Sequence, residues 1–376
     1  MSFKLVTKSS SLKEAISFVE SISRLYSGIA ETNKNSADEY ILIKNKDKKS
    51  TVTYAKQGVM VRSVLESSVC EDGFLVIDPY IVETIPSRAN ETTLEVDVDR
   101  DKNKILKFCN GSSRGSVAIT DDAELVESHI PSKDNIPNNF IKIANESMGK
   151  IISLVLYDST DERINKKIGL PVRIAAHKNK ICVQTGDSIC GVTYKTKSKE
   201  VLPKIDILTQ GLLLKQVFNS ANKNEISFAS NEKTTRIKTN KFEIIVPTQE
   251  MELPDINTWM SNQPKPIQSI EVNAIDIYNA VNDACVVSNI ANITDPVVTI
   301  VLKDKKAVVC AEESIGKSTS TIKANFSKQA TLKYDAIWFN QMSSKIKGKL
   351  FIDVFDSVSI LRDENNKINC IVPFIP

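Results

Sequence analysis

Histidine is scarce in this chain, where only His129 and His177 occur among 376 residues. A metalloenzyme with several histidine ligands is therefore disfavoured, as is a histidine-rich general-base site. The seven cysteines are scattered and none forms a CxxC pair, which argues against a structural zinc site and against a disulfide framework. We therefore expect neither a metal nor another cofactor.

Long apolar runs are also missing. No stretch of about 18 apolar residues occurs, so the sequence predicts no transmembrane helix, and residues 1–8 lack the apolar core of a secretory signal. Hydrophobic residues make up 41% of the chain and charged residues 25%, which is ordinary for a globular protein. We expect a cytoplasmic protein of two or three domains with no membrane partner.

One structural plan occurs three times along the chain. Each copy opens with a short strand and an amphipathic helix, then has strands, a second helix and more strands, over about 130 residues. The first helices are expected at residues 11–26, 146–157 and 274–287. The second helices are expected at residues 74–88, 207–221 and 332–347. In the first of these, Asp78 is the candidate N-cap and Pro79 occupies the first helical position, where its missing N–H costs nothing. The predicted fold class is α+β, with two helices and antiparallel sheets in each repeat.

Proline- and asparagine-rich joints separate the repeats at residues 131–137 and 261–266. They place three domains at residues 1–131, 132–262 and 263–376. The apolar stripes of the helices predict core packing. Their polar faces are solvated by default.

Little in the sequence supports a catalytic function. Gly316-Lys317-Ser318 resembles the end of a P-loop, but Ala311 stands where that motif needs glycine, and strands flank it. Residues 111–115 match the G-x-S-x-G of a nucleophile elbow, yet strands on both sides favour a β-turn. A hydrolase that uses Ser113 or Ser188 is therefore the least supported hypothesis, and we expect no catalytic residues.

Local sequence matches nevertheless resemble one family. FLVIDPYIVETI followed by strands and Gly-Ser-Ser-Arg-Gly, the Glu-Leu-Pro-Asp of residues 252–255, and the apolar, proline-containing ending of residues 371–376 occur in order and at family spacing. Together they resemble the bacterial-type β sliding clamp, the processivity subunit of replicative DNA polymerase, over the whole chain. The lysine- and asparagine-rich character would suit a phage-encoded copy.

The resemblance implies a fold and a set of partners. Two three-domain chains would close head to tail into a six-domain ring whose helices line a hole for duplex DNA, with no catalysis. The implied partners are duplex DNA bound without sequence preference, a DNA polymerase, a clamp loader, other proteins with a clamp-binding motif, and a second copy of the chain. The implied location is the cytoplasm of a bacterial cell or of a phage-infected host.

Sliding requires attraction to phosphate groups, because that attraction does not depend on base sequence. Arg24 is the leading candidate, since it ends the first helix on its polar face and matches a basic position of the family. The full set of expected DNA-binding residues near the helices is Lys8, Lys13, Arg24, Arg88, Lys150, Lys215, Lys223, Lys345 and Lys347.

The family also has an apolar pocket that binds short peptide motifs of its partners. Carried over by position, the pocket residues are Leu170, Thr185, Asp187, Ser188, Ile189, Cys190, Pro254, Trp259, Val358, Ile360, Val372, Pro373 and Phe374. The family turn T-D-G-H-R-L reads T-G-D-S-I-C here, at residues 185–190, and Trp259 and Phe374 add bulk. These departures predict an altered peptide preference.

The expected dimer seam uses Val117 of the first domain with Val286 and Val287 of the third. Gly115 stands where the family usually has a large apolar residue, so the resemblance implies a weaker seam here. The alternative hypothesis is a three-lobed interaction scaffold that does not encircle DNA.

Overall fold

A computed structural model describes residues 3–26, 40–84, 90–98, 103–120, 122–143, 145–158, 170–187, 189–221, 225–248, 253 and 255–375. The chain forms two compact units. The first unit comprises Met1–Gly149 and Leu212–Gln249, and the second comprises Lys150–Gly211 and Glu250–Pro376.

The helices alternate with groups of strands along the chain. Their bounds are α1 Ser9–Tyr26, α2 Pro79–Thr84, α3 Glu124–Glu127, α4 Asn145–Val155, α5 Gly211–Ser220, α6 Ile256–Ser261, α7 Ala274–Ala284, α8 Val286–Ile290 and α9 Ala336–Ser343. In the described part of the chain, no helix is both long enough and apolar enough to cross a membrane.

The first unit contains two antiparallel sheets. Their strands are β1 Phe3–Lys8, β2 Ile41–Lys46, β3 Lys49–Lys56, β4 Val59–Leu65, β5 Ser67–Glu71, β6 Gly73–Ile77, β7 Glu91–Val98, β8 Lys104–Asn110, β9 Ser113–Ala118, β10 Ile141–Ile143, β13 Ile226–Ser230, β14 Thr234–Lys238 and β15 Phe242–Pro247. A five-stranded sheet has the order β5-β1-β7-β8-β9, and an eight-stranded sheet has the order β10-β13-β14-β15-β4-β3-β2-β6.

The second unit also contains two antiparallel sheets. Their strands are β11 Pro171–Gly186, β12 Gly191–Gln210, β16 Gln268–Asn273, β17 Val297–Lys303, β18 Lys306–Glu313, β19 Gly316–Lys323, β20 Ala330–Asp335, β21 Lys349–Val354, β22 Val358–Asp363 and β23 Ile368–Pro373. The two strand orders are β11-β12-β23-β22-β21-β16 and β19-β18-β17-β20.

The element order confirms the repeated plan of strand, helix, strands, helix and strands, and with it the α+β class. Sheets nevertheless continue across the expected domain boundaries. Strand β15 pairs with β4 in the first unit, and β12 pairs with β23 in the second. Each compact unit therefore takes part of the middle repeat, and the three-domain division stays a prediction.

The range expected for the second helix of each repeat starts too early, although the cap of the first of these helices was located correctly. Helix α2 begins at Pro79, directly after Asp78, whose Oδ1 accepts a hydrogen bond from Tyr80 N at 2.8 Å. Strand β6, the end of β12 and strand β20 occupy the first residues of the expected helices. An apolar run that spans the end of a strand and the start of a helix has no single period. The position of the boundary must therefore be read from the capping residue. Asp335 marks such a boundary, since its Oδ1 accepts a hydrogen bond from Trp338 N at 3.0 Å.

Helix α1 packs its apolar stripe on the eight-stranded sheet. Leu12, Ile16, Val19 and Ile22 are buried, as the three- and four-residue spacing predicted. The neighbouring Phe18 ring lies 4.5 Å from the ring of Phe242 on β15. The stripe therefore fixes which residues of α1 remain on the polar face.

Candidate nucleic-acid and peptide interfaces

The first unit exposes several of the expected DNA-binding side chains. Arg24 ends α1 and is exposed, with Nη2 3.6 Å from Glu20 Oε2 in the preceding turn. Lys215 is exposed on α5, whereas Lys13 is half-buried on α1. Lys8 is exposed at the end of β1, where its ammonium lies 3.9 Å from Glu66 Oε2. An exposed ion pair of this kind is weak and leaves the cation able to attract phosphate.

Two further candidates are exposed in the second unit, and two others are not described. Lys150 is exposed on α4, and Lys347 is exposed after α9. Arg88 and Lys223 lie outside the described residues. The described basic residues therefore sit on or beside helices, as the resemblance implied, but they are few.

Lys345 is placed differently from its neighbour Lys347. Its ammonium donates hydrogen bonds to the carbonyl oxygens of Leu154, at 3.0 Å, and Leu156, at 2.6 Å, and lies 5.9 Å from the centre of the Tyr157 ring. Burial lowers the pKa of Lys345. These contacts give the ammonium a structural role at the carboxyl end of α4, so we remove Lys345 from the DNA-binding set.

The first helix of the third repeat carries no basic residue at all. The sequence of α7, AIDIYNAVNDA, exposes Asp276 and Asp283 instead. This asymmetry is visible in the sequence, since α7 contains aspartate but neither lysine nor arginine. Among the expected DNA-binding residues that the structure describes, those on helices therefore lie on α1, α4 and α5.

The expected peptide site begins at the turn between β11 and β12. Asp187 Oδ1 accepts hydrogen bonds from Ile189 N at 2.8 Å and from Cys190 N at 2.7 Å, and Asp187 N donates to Cys190 O at 3.0 Å. Gly186 and Gly191 pair at the base of the turn. A Cβ atom on Gly191 would lie 2.6 Å from Ile256 Cδ1. The absence of a side chain at Gly191 therefore leaves room for α6 to pack against the turn.

Helix α6 is anchored at its amino end and on one side. Asp255 Oδ1 accepts from Thr258 N at 3.1 Å, and Asn257 Nδ2 donates to Gln184 Oε1 at 3.0 Å. The hydrogen bonds from Thr258 hold the pKa of the Asp255 carboxyl below its ordinary value. This anchored helix leaves Trp259 37% exposed.

The last residues of the described chain carry the remaining expected residues of the site. Val358 and Pro373 are paired in the β22–β23 register, and Phe374 N donates to Ser357 O at 3.1 Å. The Phe374 ring lies 5.3 Å from the ring of Tyr334. The tail is therefore packed along the sheet, with its aromatic ring half-buried.

Burial separates the predicted pocket residues into two groups. The buried group consists of Leu170, Thr185, Cys190, Ile360 and Val372. The accessible group consists of Asp187, Ile189, Trp259, Val358, Pro373 and Phe374. Ser188 and Pro254 lie outside the described residues. The buried side chains can support a peptide site, but only the accessible group is able to touch a ligand.

Apolar side chains are also exposed around α8. Val286 is 49%, Ile290 67% and Ile315 56% exposed, and Val287 is half-buried. Ser288 Oγ donates to Glu313 Oε1 at 2.7 Å, which ties α8 to the β18–β19 hairpin. Single exposed apolar residues are common, but several of them on one short helix and the neighbouring hairpin make α8 a candidate interaction surface.

In the first unit, the expected seam strand β9 lies at the edge of its sheet, and Val117 on it is half-buried. Gly115 on the same strand pairs with Phe108. A Cβ atom on Gly115 would lie 2.3 Å from Phe108 Cζ, so the phenylalanine ring covers the glycine. The neighbouring strand therefore supplies the large apolar group that position 115 lacks.

The two rejected catalytic motifs lie in hairpins. Residues 111–112 form the turn between β8 and β9, and Ser113 begins β9, as the β-turn interpretation predicted. Gly316, Lys317 and Ser318 open strand β19 and precede no helix. Among the described residues, no group of three or more histidine, cysteine, aspartate or glutamate side chains is arranged to hold a metal ion.

Solved sliding clamps have this fold. The beta sliding clamp of C. crescentus gives a TM-score of 0.80 at 13% identity, covering 100% of this chain and 99% of that one. The DNA polymerase III beta subunit of Thermotoga maritima gives 0.77 at 13%, with the same coverage. The sliding clamp of Pseudomonas aeruginosa bound to griselimycin gives 0.77 at 10%, covering 100% of both chains.

No protein-family model and no curated protein sequence matches the chain. The structural similarity therefore establishes the fold of a DNA polymerase III beta sliding clamp along the full chain, at an identity too low to carry residue roles with it.

Proposed function

We propose that this protein is a DNA sliding clamp, a non-catalytic ring that encircles duplex DNA and tethers a polymerase and other partners to it. The observation that carries the proposal is the full-length similarity to the C. crescentus sliding clamp, with a TM-score of 0.80. Function cannot be read from fold alone, so the proposal also rests on the three surfaces described above.

The helices would provide the surface that faces DNA. Arg24, Lys150, Lys215 and Lys347 are exposed on or beside them. Contacts from such side chains to phosphate oxygens attract the duplex without reading bases, and this allows sliding. The small number of basic residues favours a loose hold on DNA, with retention supplied mainly by ring closure.

Ring closure would join two copies through sheet edges. Strand β9 with Val117, at the edge of the five-stranded sheet, would meet strand β19 and α8 with Val286 and Val287 of the second copy. Exposed edge strands are templates for pairing with another chain. The apolar group at α8, which extends to Ile290, supplies the burial that holds the pair together.

The accessible group of pocket residues would bind apolar peptide motifs from the polymerase, the clamp loader and other partners. Trp259 and Phe374 are its large apolar members, and large aromatic side chains dominate the energy of such interfaces. We expect Phe374→Ala to abolish binding of a partner peptide while the ring remains intact. A variant that still binds would contradict the site.

A topological experiment tests the clamp directly. The labelled protein is incubated with a nicked circular plasmid until rings have opened and closed, and the mixture is then filtered through a gel at high salt. We expect the protein to stay with the circle, because an encircling ring needs no ionic attraction, and to leave when one restriction cut makes the plasmid linear.

Negative-stain images of the same sample provide a second measurement. Six-lobed rings with open centres support the clamp, whereas three-lobed particles at every protein concentration favour the alternative of a scaffold that does not encircle DNA. Equal release from circular and linear plasmids would overturn the clamp proposal even if rings are seen.

A further inference from the structure

Tyr157 connects the carboxyl end of α4 to the turn that carries Ile189. Its hydroxyl donates a hydrogen bond to Cys190 O at 2.8 Å. The same carbonyl oxygen accepts from Asp187 N at 3.0 Å, so two donors from separate parts of the second unit converge on it. Cys190 is buried, and Ile189, the residue before it, is 43% exposed.

The Tyr157 ring is itself held on its other sides. The Trp338 ring of α9 meets it edge to face, at 5.8 Å between ring centres and 87° between planes. The ammonium of Lys345 lies 5.9 Å from the ring centre, fixed by hydrogen bonds to the carbonyl oxygens of Leu154 and Leu156. Aromatic pairs and cation–π contacts of this geometry fix a ring as well as stabilise it.

This arrangement leaves Tyr157 little freedom. Burial and the nearby Asp187 carboxylate raise the pKa of Tyr157, so the hydroxyl keeps its proton and remains a donor. A turn that carries an exposed apolar side chain would otherwise sample several orientations, and a ligand would have to select one of them.

We propose that Tyr157 is a positioning residue for the peptide site: its hydroxyl holds the Asp187–Cys190 turn in the orientation that presents Ile189 to a bound apolar peptide. This inference rests on the proposed peptide-binding function. Trp338 on α9 and Lys345 just after that helix hold the ring, which extends the support of the site into the third repeat.

The test uses the full-length protein and griselimycin as the probe, because a sliding clamp of the same fold binds it. Four proteins are compared by calorimetric titration: the wild type, Tyr157→Phe, Trp259→Ala and Tyr54→Phe. Tyr157→Phe removes one oxygen and keeps the ring. Trp259→Ala removes a side chain of the site, and Tyr54→Phe is the matched control, a buried tyrosine of the first unit.

We expect Tyr157→Phe to weaken griselimycin binding about five- to tenfold, the effect of one lost hydrogen bond near 1 kcal/mol. Amide hydrogen exchange at Ile189 and Cys190 should become faster in the same variant, a change that a merely stabilising residue would spread over the whole unit. Tyr54→Phe should bind like the wild type, and Trp259→Ala should bind much more weakly.

Three other outcomes have distinct meanings. Wild-type affinity in Tyr157→Phe overturns the positioning role while Trp259→Ala still tests the site. Faster exchange spread evenly over the second unit also overturns it, because Tyr157 would then act only on stability. A wild type that does not bind griselimycin, together with intact rings on DNA, overturns the peptide site and the positioning role but leaves the clamp proposal standing.

Discussion

At the scale of single residues, Lys345 and Lys347 have different roles, although both were candidates for DNA binding on sequence grounds. Both are lysines near the end of α9, but the first binds two backbone carbonyl oxygens and the second is exposed. A lysine that satisfies helix carbonyl groups stabilises the fold, whereas an exposed lysine contributes to the long-range attraction of phosphate.

The two lysines therefore form a matched pair of variants. We expect Lys345→Ala to lower the free energy of unfolding by about 1–2 kcal/mol, since it removes charge-assisted hydrogen bonds, and to leave the salt dependence of DNA binding unchanged. Lys347→Ala should change stability by less than about 0.5 kcal/mol and reduce the salt slope by about 1. Denaturant titration and DNA-binding titrations at several salt concentrations measure both quantities.

Phe108 and Gly115 are a second pair of residues, in which the side chain of one lies over the other. Covering an edge-strand glycine with an aromatic ring from the next strand is a known way to protect such an edge. The ring here supplies apolar surface at the strand expected to form the dimer seam. We therefore predict that Phe108 compensates for the weaker seam that Gly115 implies.

A substitution exchange tests this compensation. We expect Phe108→Ala to weaken dimerisation about tenfold, as for other interface aromatics, and Gly115→Leu to lower stability by about 1–3 kcal/mol because leucine would overlap the ring. The double variant Phe108→Ala with Gly115→Leu should recover dimerisation, as measured by sedimentation equilibrium. Additive losses in the double variant would contradict the compensation.

At the scale of elements, helices α6 and α9 are each capped by an aspartate, and the two caps respond to pH in opposite directions. Hydrogen bonds from Thr258 hold the pKa of Asp255 below its ordinary value of 3.8, whereas burial raises the pKa of Asp335 above the same value. A lowered pKa means that the folded protein favours the carboxylate, and a raised pKa means that it favours the acid.

The stability contribution of Asp255 is thus present above pH 3.8 and lost as pH falls through its lowered pKa. The contribution of Asp335 is present below pH 3.8 and lost as pH rises through its raised pKa. We expect the stability of the wild type relative to Asp255→Asn to fall on acidification, and its stability relative to Asp335→Asn to rise. Urea unfolding at several pH values measures both, and parallel trends would contradict the assignment.

At the scale of the whole molecule, the uneven distribution of basic residues decides how the protein would hold DNA. Helix α7 exposes only acidic charge, while α1 and α5 expose Arg24 and Lys215. In the proposed ring, attraction confined to part of the wall would favour brief binding to phosphate groups, and ring closure would then provide the retention.

We expect Arg24→Ala combined with Lys215→Ala to weaken DNA binding and to reduce the salt slope by about 1 for each phosphate group that is no longer neutralised. Lys238→Ala combined with Lys303→Ala is the charge-matched control, since both lysines are exposed at strand ends. An unchanged salt slope in the first double variant, or an equal reduction in the control, would remove α1 and α5 from the DNA-facing surface.

Sequence periodicity located the first helix of each repeat well, because an amphipathic helix that packs on one sheet shows its period directly. It located the second helices less well, since an apolar strand runs into each of them without a break, and capping bonds such as that of Asp335 mark the change. The residue set that the resemblance implied for the peptide site mixes accessible and buried side chains, because sequence position does not reveal which way a side chain points.

The sequence alone determined the threefold plan, the α+β class and the kinds of side chain that are available, since these depend on local spacing and composition. Only the tertiary structure decided that Lys345 faces carbonyl oxygens, that Phe108 covers Gly115 and that Tyr157 holds the Asp187–Cys190 turn. Each of these joins residues distant in sequence or on neighbouring strands, and such interactions arise from the packing of elements rather than from any local pattern.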